Sequence, residues 1–193
     1  MKYTDIRSKL KTGDVVLFSG TSAFSVLIKL ITKCKFSHSA VVVRDGDRVN
    51  IFEAVDKGVG VNSLDGWYVQ EARMSQRIAE RKGFYAIRPI LGPRTEGMLQ
   101  AFTQFRKEVD GRPYEQNMFN LAKPALADLG ITGDVDDLSS MFCSECVAAS
   151  LQHMGILPTL TGSTWYSPRH FSEQDSLKLN PGWTWGAQIE IDN

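Results

Sequence analysis

Five side chains in this sequence could do chemistry together: Cys34, His38, Glu53, Cys143 and Cys146. Cys143 and Cys146 stand three positions apart in "MFCSECVAAS", at the start of a predicted helix. That spacing fits a redox pair, half of a metal site, or one activated nucleophile with a bystander. A redox pair gains from a helix start, which stabilises the leading thiolate. Thioredoxin-like domains, however, carry such a motif after their first strand, whereas this one follows an acidic loop, "TGDVDDLSS". A structural zinc site could draw Cys34 and His38 from "CKFSH" and Cys143 and Cys146 from "CSEC". Against it, Cys34 ends an apolar helical pattern and His38 enters a valine-rich strand.

A nucleophile needs a base, and the base needs a group to orient it. The segment "HSAVVVRDGDRVNIFEAV" supplies both as a predicted hairpin of two β-branched runs. A two-residue turn at Asp45-Gly46 sets Arg44 opposite Asp47 and, counting back, His38 opposite Glu53. Directly opposed residues share a face with Cβ atoms about 4.5–5.5 Å apart. The carboxylate can then hold one imidazole nitrogen while the other faces a thiol. Each residue alone has a plainer use: a packed histidine, a solvated edge glutamate, a cysteine serving as a small hydrophobe. The combination favours chemistry at Cys143.

Other elements frame this pair. "GDVVLF" reads as a buried strand over Gly13–Phe18, followed by a helix over Ser22–Lys33. "GVGVNSL" and "GFYAIRPI" read as further strands, and a helix runs from Pro93 to Val109. "YEQNMFNLAKPALADLG" is predicted helical with a break near Pro124. The helix that carries Cys143 is ended by "GILP", and a loop-rich, aromatic tail follows. The class is α+β, a small and mostly antiparallel sheet packed against helices, with residues 1–193 forming one domain.

Composition removes several functions. Lys+Arg and Asp+Glu both total 22, and no basic stripe marks a nucleic-acid binder. No glycine-rich turn opens a helix in the manner of a nucleotide site. The N-terminus lacks the apolar core of a signal peptide, and "SAFSVLIKLI" is too short and too charged to span a bilayer. Three cysteines, an odd count, argue against a disulfide framework and for a reducing compartment. A cytoplasmic location is expected, with release by lysis or specialised secretion still open.

"LKTGDVVLFSG", "FSHSAVVV", "NIFEAV", "GVGVNSL" and "MFCSECVAASLQHMGIL" together resemble the circularly permuted branch of the NlpC-type papain-like hydrolases. The resemblance is closest to the YiiX-like bacterial proteins, with lecithin retinol acyltransferase-like enzymes more distant. It covers residues 10–65 and 140–170, with the histidine strand ahead of the cysteine helix as in that branch. It implies Cys143 as nucleophile, His38 as general base and Glu53 as the orienting group, with no metal or organic cofactor. Ser144 and Glu145 match the small polar residue and Glu that follow the family's cysteine. Asp14 matches a Gly-Asp signature with a structural role, tying the strand start to neighbouring backbone. Cys146 and Cys34 become buried bystanders. The backbone N–H of Cys143 is the expected oxyanion donor, Tyr114 in "GRPYEQN" is a candidate second donor, and Tyr166 in "YSPRHF" is a candidate substrate-groove residue.

The resemblance implies acyl transfer from a peptide amide, cell-wall peptides included, or from an acylated small molecule or lipid. Trp165, Tyr166, Trp183 and Trp185 either line an apolar groove or pack the tail onto the core. Residues 66–139 are where a lid or insertion could set specificity. A zinc-stabilised binding module and a catalytically silent peptide or lipid binder are the readings outside catalysis.

Overall fold

The computed structural model describes residues 1–21, 23–55, 58–60, 84–109 and 139–191. The architecture is α+β. Six strands form an antiparallel sheet, in the spatial order Gly58–Gly60, Arg48–Val55, His38–Asp45, Val15–Ser19, Phe84–Arg88 and Ile189–Ile191. They are β1 (Val15–Ser19), β2 (His38–Asp45), β3 (Arg48–Val55), β4 (Gly58–Gly60), β5 (Phe84–Arg88) and β8 (Ile189–Ile191). A two-stranded sheet joins β6 (Ile90–Leu91) to β7 (Thr184–Trp185).

The continuous apolar runs in β1 and β2 follow from burial on both faces of the sheet. One face carries Val15, Leu17, Val41, Val43, Phe52 and Ala86. Two helices cover it: α3 (Glu96–Val109), through Phe102 and Phe105, and α4 (Ser139–His153), through Cys146, Val147 and Leu151. The other face, with Val16, Phe18, Ala40, Val42, Ile51 and Ile87, is covered by the N-terminal segment. There the short α1 (Tyr3–Ile6) and the turn after it deliver Tyr3, Ile6 and Leu10.

Helix α2 (Ala23–Thr32) follows β1, close to the span expected from periodicity. It ends where Lys33 takes a left-handed conformation, φ 50°, and the Cys34 N–H donates to the Lys29 carbonyl. Asp14 ties the entry of β1 to its surroundings, as expected for it. Its carboxylate accepts from the Lys11 and Ile90 backbone N–H groups at 2.8 and 3.0 Å and from Arg94 at 3.2 Å. Burial raises the Asp14 pKa, and those hydrogen bonds and the Arg94 charge only partly oppose it.

One expectation is corrected. The hairpin loop is Gly46–Asp47, and Asp45 pairs with Arg48. Glycine sits first in the loop with φ 57°, the position where a two-residue hairpin turn most needs a positive φ. The register therefore moves by two residues. Carried one pair beyond Val41↔Phe52, it sets Glu53 across from Ala40 and diagonal to His38. An even shift keeps the face unchanged, because side chains alternate with period two. The predicted helix around Pro124, the acidic loop before Ser139 and most of residues 66–139 lie outside the described residues. Among the described residues no helix is long and apolar enough to cross a membrane.

Candidate active site

His38 is the first residue of β2 and so stands at one end of the sheet. Across the β1–β2 ladder it pairs with Phe18, and the two rings lie 5.3 Å apart. Its Nε2 meets Glu53 Oε2 at 2.6 Å, with both side chains almost fully buried. The pair survives the shifted register because a diagonal neighbour remains within reach of a glutamate side chain.

Cys143 reaches the same point from α4, which packs against β2 and β3. Its sulfur is fully buried. The Ser39 backbone N–H donates to Sγ at 3.3 Å, and the Ser39 hydroxyl lies 3.8 Å from it. Burial pushes the Cys143 pKa up. The charge and hydrogen bond of His38, with the two Ser39 donors, outweigh it and hold the thiol below its ordinary value. Cys146, three residues on, goes the other way. Burial and the neighbouring charges of Cys143, Glu145 and Glu53 raise its pKa, so it persists as a thiol.

Helix α4 begins at Ser139, so Cys143 is its fifth residue rather than part of its first turn. A residue that deep uses its N–H in the i→i−4 ladder, here toward the Ser139 carbonyl. The expectation of Cys143 at a helix start, its N–H open to an oxyanion, is corrected accordingly. The helix dipole acts mainly within the first turn, so the lowered thiol pKa is owed to His38 and Ser39.

Ser39 was not singled out by the sequence. It adjoins His38 but carries no spacing signal, and its role depends on where α4 crosses the sheet. Ser144 is buried, and Glu145 accepts from the Ser163 hydroxyl at 3.5 Å. Tyr166 is buried in the core under α4, with its ring 5.9 Å from Phe171. Trp183 and Trp185 also pack on that core, whereas Trp165 is 62% exposed and leans on His170 at 4.5 Å. Packing the tail is thus the use of three of the four aromatic residues. Tyr114 lies outside the described residues.

All three cysteines are buried, and none forms a disulfide. Cys34 Sγ accepts from the Phe36 N–H at 3.4 Å and lies 3.9 Å from the Ser172 hydroxyl. Among the described residues, no three or more His, Cys, Asp or Glu side chains gather around a common point suited to a metal ion. Cys34, His38, Cys143 and Cys146 therefore do not assemble as a zinc site.

No family model matches the chain. No curated protein matches it either. Among solved structures it is similar to the metalloprotein YiiX of Escherichia coli O157:H7, at 21% identity and a TM-score of 0.53. The match covers 94% of this chain and 98% of that one. At this identity the likeness is one of fold.

Proposed function

We propose that this protein is a thiol-dependent hydrolase of the permuted papain-like kind, with Cys143 as nucleophile, His38 as base and Glu53 as the group that orients the base. One observation carries the reading. A hydrogen-bonded run, Glu53 to His38 to Cys143, holds a fully buried thiol below its ordinary pKa. Burial alone would do the opposite, so a specific charge partner is at work. The chain order, histidine strand before cysteine helix, supports it.

In this mechanism Nε2 of His38 is engaged by Glu53, leaving Nδ1 to exchange a proton with Sγ. The Cys143 thiolate attacks a carbonyl carbon, and the electron pair of the C=O moves to oxygen. On collapse the bond to the leaving amine or alkoxide breaks, and His38 supplies the proton that it takes. The acyl thioester on Cys143 is then hydrolysed by water, which gives a proton to His38 and releases the acid. Because Sγ has no exposed surface, turnover includes an opening step before attack. The substrate class is an amide or peptide bond, with lipid acyl groups as the competing class.

The neighbour's printed name favours a second reading, a metal-binding module. The donors do not fit it. Cys34 is held by Phe36 and Ser172, and among the described residues no three His, Cys, Asp or Glu side chains converge as a ligand set. No step is therefore routed through a metal.

The test is intact-mass analysis after incubation with a panel of activated amides and esters, beside metal analysis of the same protein. The expected result is an acyl adduct on Cys143, absent in Cys143→Ala, with hydrolysis cut on the order of 10³-fold or more in both Cys143→Ala and His38→Ala. Stoichiometric zinc that is lost in Cys143→Ala, with no adduct, would overturn the hydrolase.

A further inference from the structure

The strand that carries His38 does not by itself aim the imidazole at Cys143. Side chains alternate between the two faces of a sheet. Val41 and Val43 lie on the face that α4 covers, as does Ser39, which touches Cys143. Ala40 and Val42 lie on the opposite face, and alternation sets His38 with them. Glu53 falls on that same face, because Phe52 and Ala54 on either side of it turn toward α4. The sulfur thus arrives from one face and the base from the other. They meet because His38 is the first residue of β2, at the end of the sheet. The hydrogen bond between Nε2 and Glu53 fixes one corner of the ring, and the plane of the ring needs a second support.

Phe18 is placed to give it. It is the partner of His38 in the β1–β2 ladder, and Tyr85 is the partner of Phe18 in the β1–β5 ladder. Directly opposed residues bring their side chains together on one face. The Phe18 ring lies 5.3 Å from the imidazole at an angle of 46°, and Tyr85 meets Phe18 edge-on at 5.6 Å and 85°. All three rings are buried. The row Tyr85, Phe18, His38 therefore crosses three adjacent strands and ends on Glu53. In an interior packed like a crystal, a ring in such a row turns only if its neighbour moves. An apolar wall on that side also keeps water from the His38–Glu53 hydrogen bond, which strengthens it.

We propose that Phe18, braced by Tyr85, is a positioning residue for the base: it holds the imidazole plane so that Nε2 stays on Glu53 while Nδ1 faces Cys143 Sγ. The kinetic consequence rests on the hydrolase reading, whereas the orientation itself is read from the thiol without any substrate.

The experiment is Phe18→Leu, which keeps an apolar side chain and removes the ring face. The Cys143 titration is followed by thiolate absorbance against pH, corrected with the matching Cys143→Ala protein. It should move upward by on the order of one pH unit as His38 swings away from the sulfur. The rate constant kcat should fall by about tenfold with KM little changed. Val42→Ala is the control. Val42 is buried on the same face but four residues along β2 from His38, so its truncation loosens the core and should leave both readings in place. Circular dichroism checks folding, and Phe18→Met, whose flexible side chain refills the space, carries the same test if Phe18→Leu does not fold. The proposal is overturned if the Phe18 variant titrates as the native protein does, or if Val42→Ala shifts the titration equally. Absence of an acyl adduct in the native protein would instead remove the hydrolase, and the titrations would still decide the role of Phe18.

Discussion

Ser39 and Cys143 are 104 residues apart in the chain, yet the Ser39 N–H donates to Cys143 Sγ at 3.3 Å. His38 and Ser39 are thus consecutive residues of one strand, and both lower the pKa of the same sulfur. Ser39→Ala removes the hydroxyl and keeps the N–H. It should raise the Cys143 pKa and lower kcat/KM by roughly three- to tenfold, the scale of one ordinary hydrogen bond. Ultraviolet thiolate absorbance against pH checks the first, steady-state kinetics the second. An unchanged titration would remove Ser39 from the site.

The lowered Cys143 pKa also predicts how stability varies with pH. The folded protein holds this proton less tightly than the unfolded chain does. The thiolate's contribution is therefore complete above the ordinary thiol value and is lost as pH falls through the lower folded value. The unfolding free energy of the native protein minus that of Cys143→Ala should rise with pH across that window. Denaturant titrations at stepped pH measure it, and a flat difference would contradict a depressed pKa.

Glu53→Gln keeps an acceptor near Nε2 but removes the charge that stabilises imidazolium. The expected loss in kcat/KM is about 10²-fold, smaller than for His38→Ala, with the Cys143 titration moved upward. If rate falls while the titration stays in place, Glu53 would be contributing only to packing.

Asp14→Ala leaves the Lys11 and Ile90 N–H groups and Arg94 without their shared acceptor. The cost should be about 3 kcal/mol of stability, since buried donors and a partly buried guanidinium lose their partner. Chemical denaturation reads it directly. The residue is remote from Cys143 in role, so an acyl adduct should still form on the folded variant.

The hairpin was legible because β-branched runs flank a glycine turn, and the Glu53–His38 contact was legible because both sit on one face of it. Its register was not. "RDGDR" permits two placements of the loop, and the one adopted puts Gly46 first with φ 57°. Cys143 and Cys146 were legible as a pair with different expected roles, and their thiol pKa values move in opposite directions. The start of α4 was misplaced because two serines and two apolar residues, Ser139–Phe142, extend the helix beyond the first recognisable signal. Ser39 escaped notice for a different reason. Its contact joins a strand to a distant helix, and nothing local in "SHSA" encodes a tertiary crossing.

The sequence separations within the site also order its assembly. His38 and Glu53 are 15 residues apart on adjacent strands, a local pairing of the kind that forms in about 1–10 μs. The sulfur joins only when a segment more than a hundred residues downstream closes onto β2. Loop closure over that length comes late, because its entropy must be met before the contact rewards it. On a growing chain the hairpin is synthesised long before Cys143 emerges, and Cys143 is an ordinary thiol until α4 docks. Under the proposed function, folding itself would protect Cys143 from premature reaction, and a lowered thiol pKa would report completed tertiary structure.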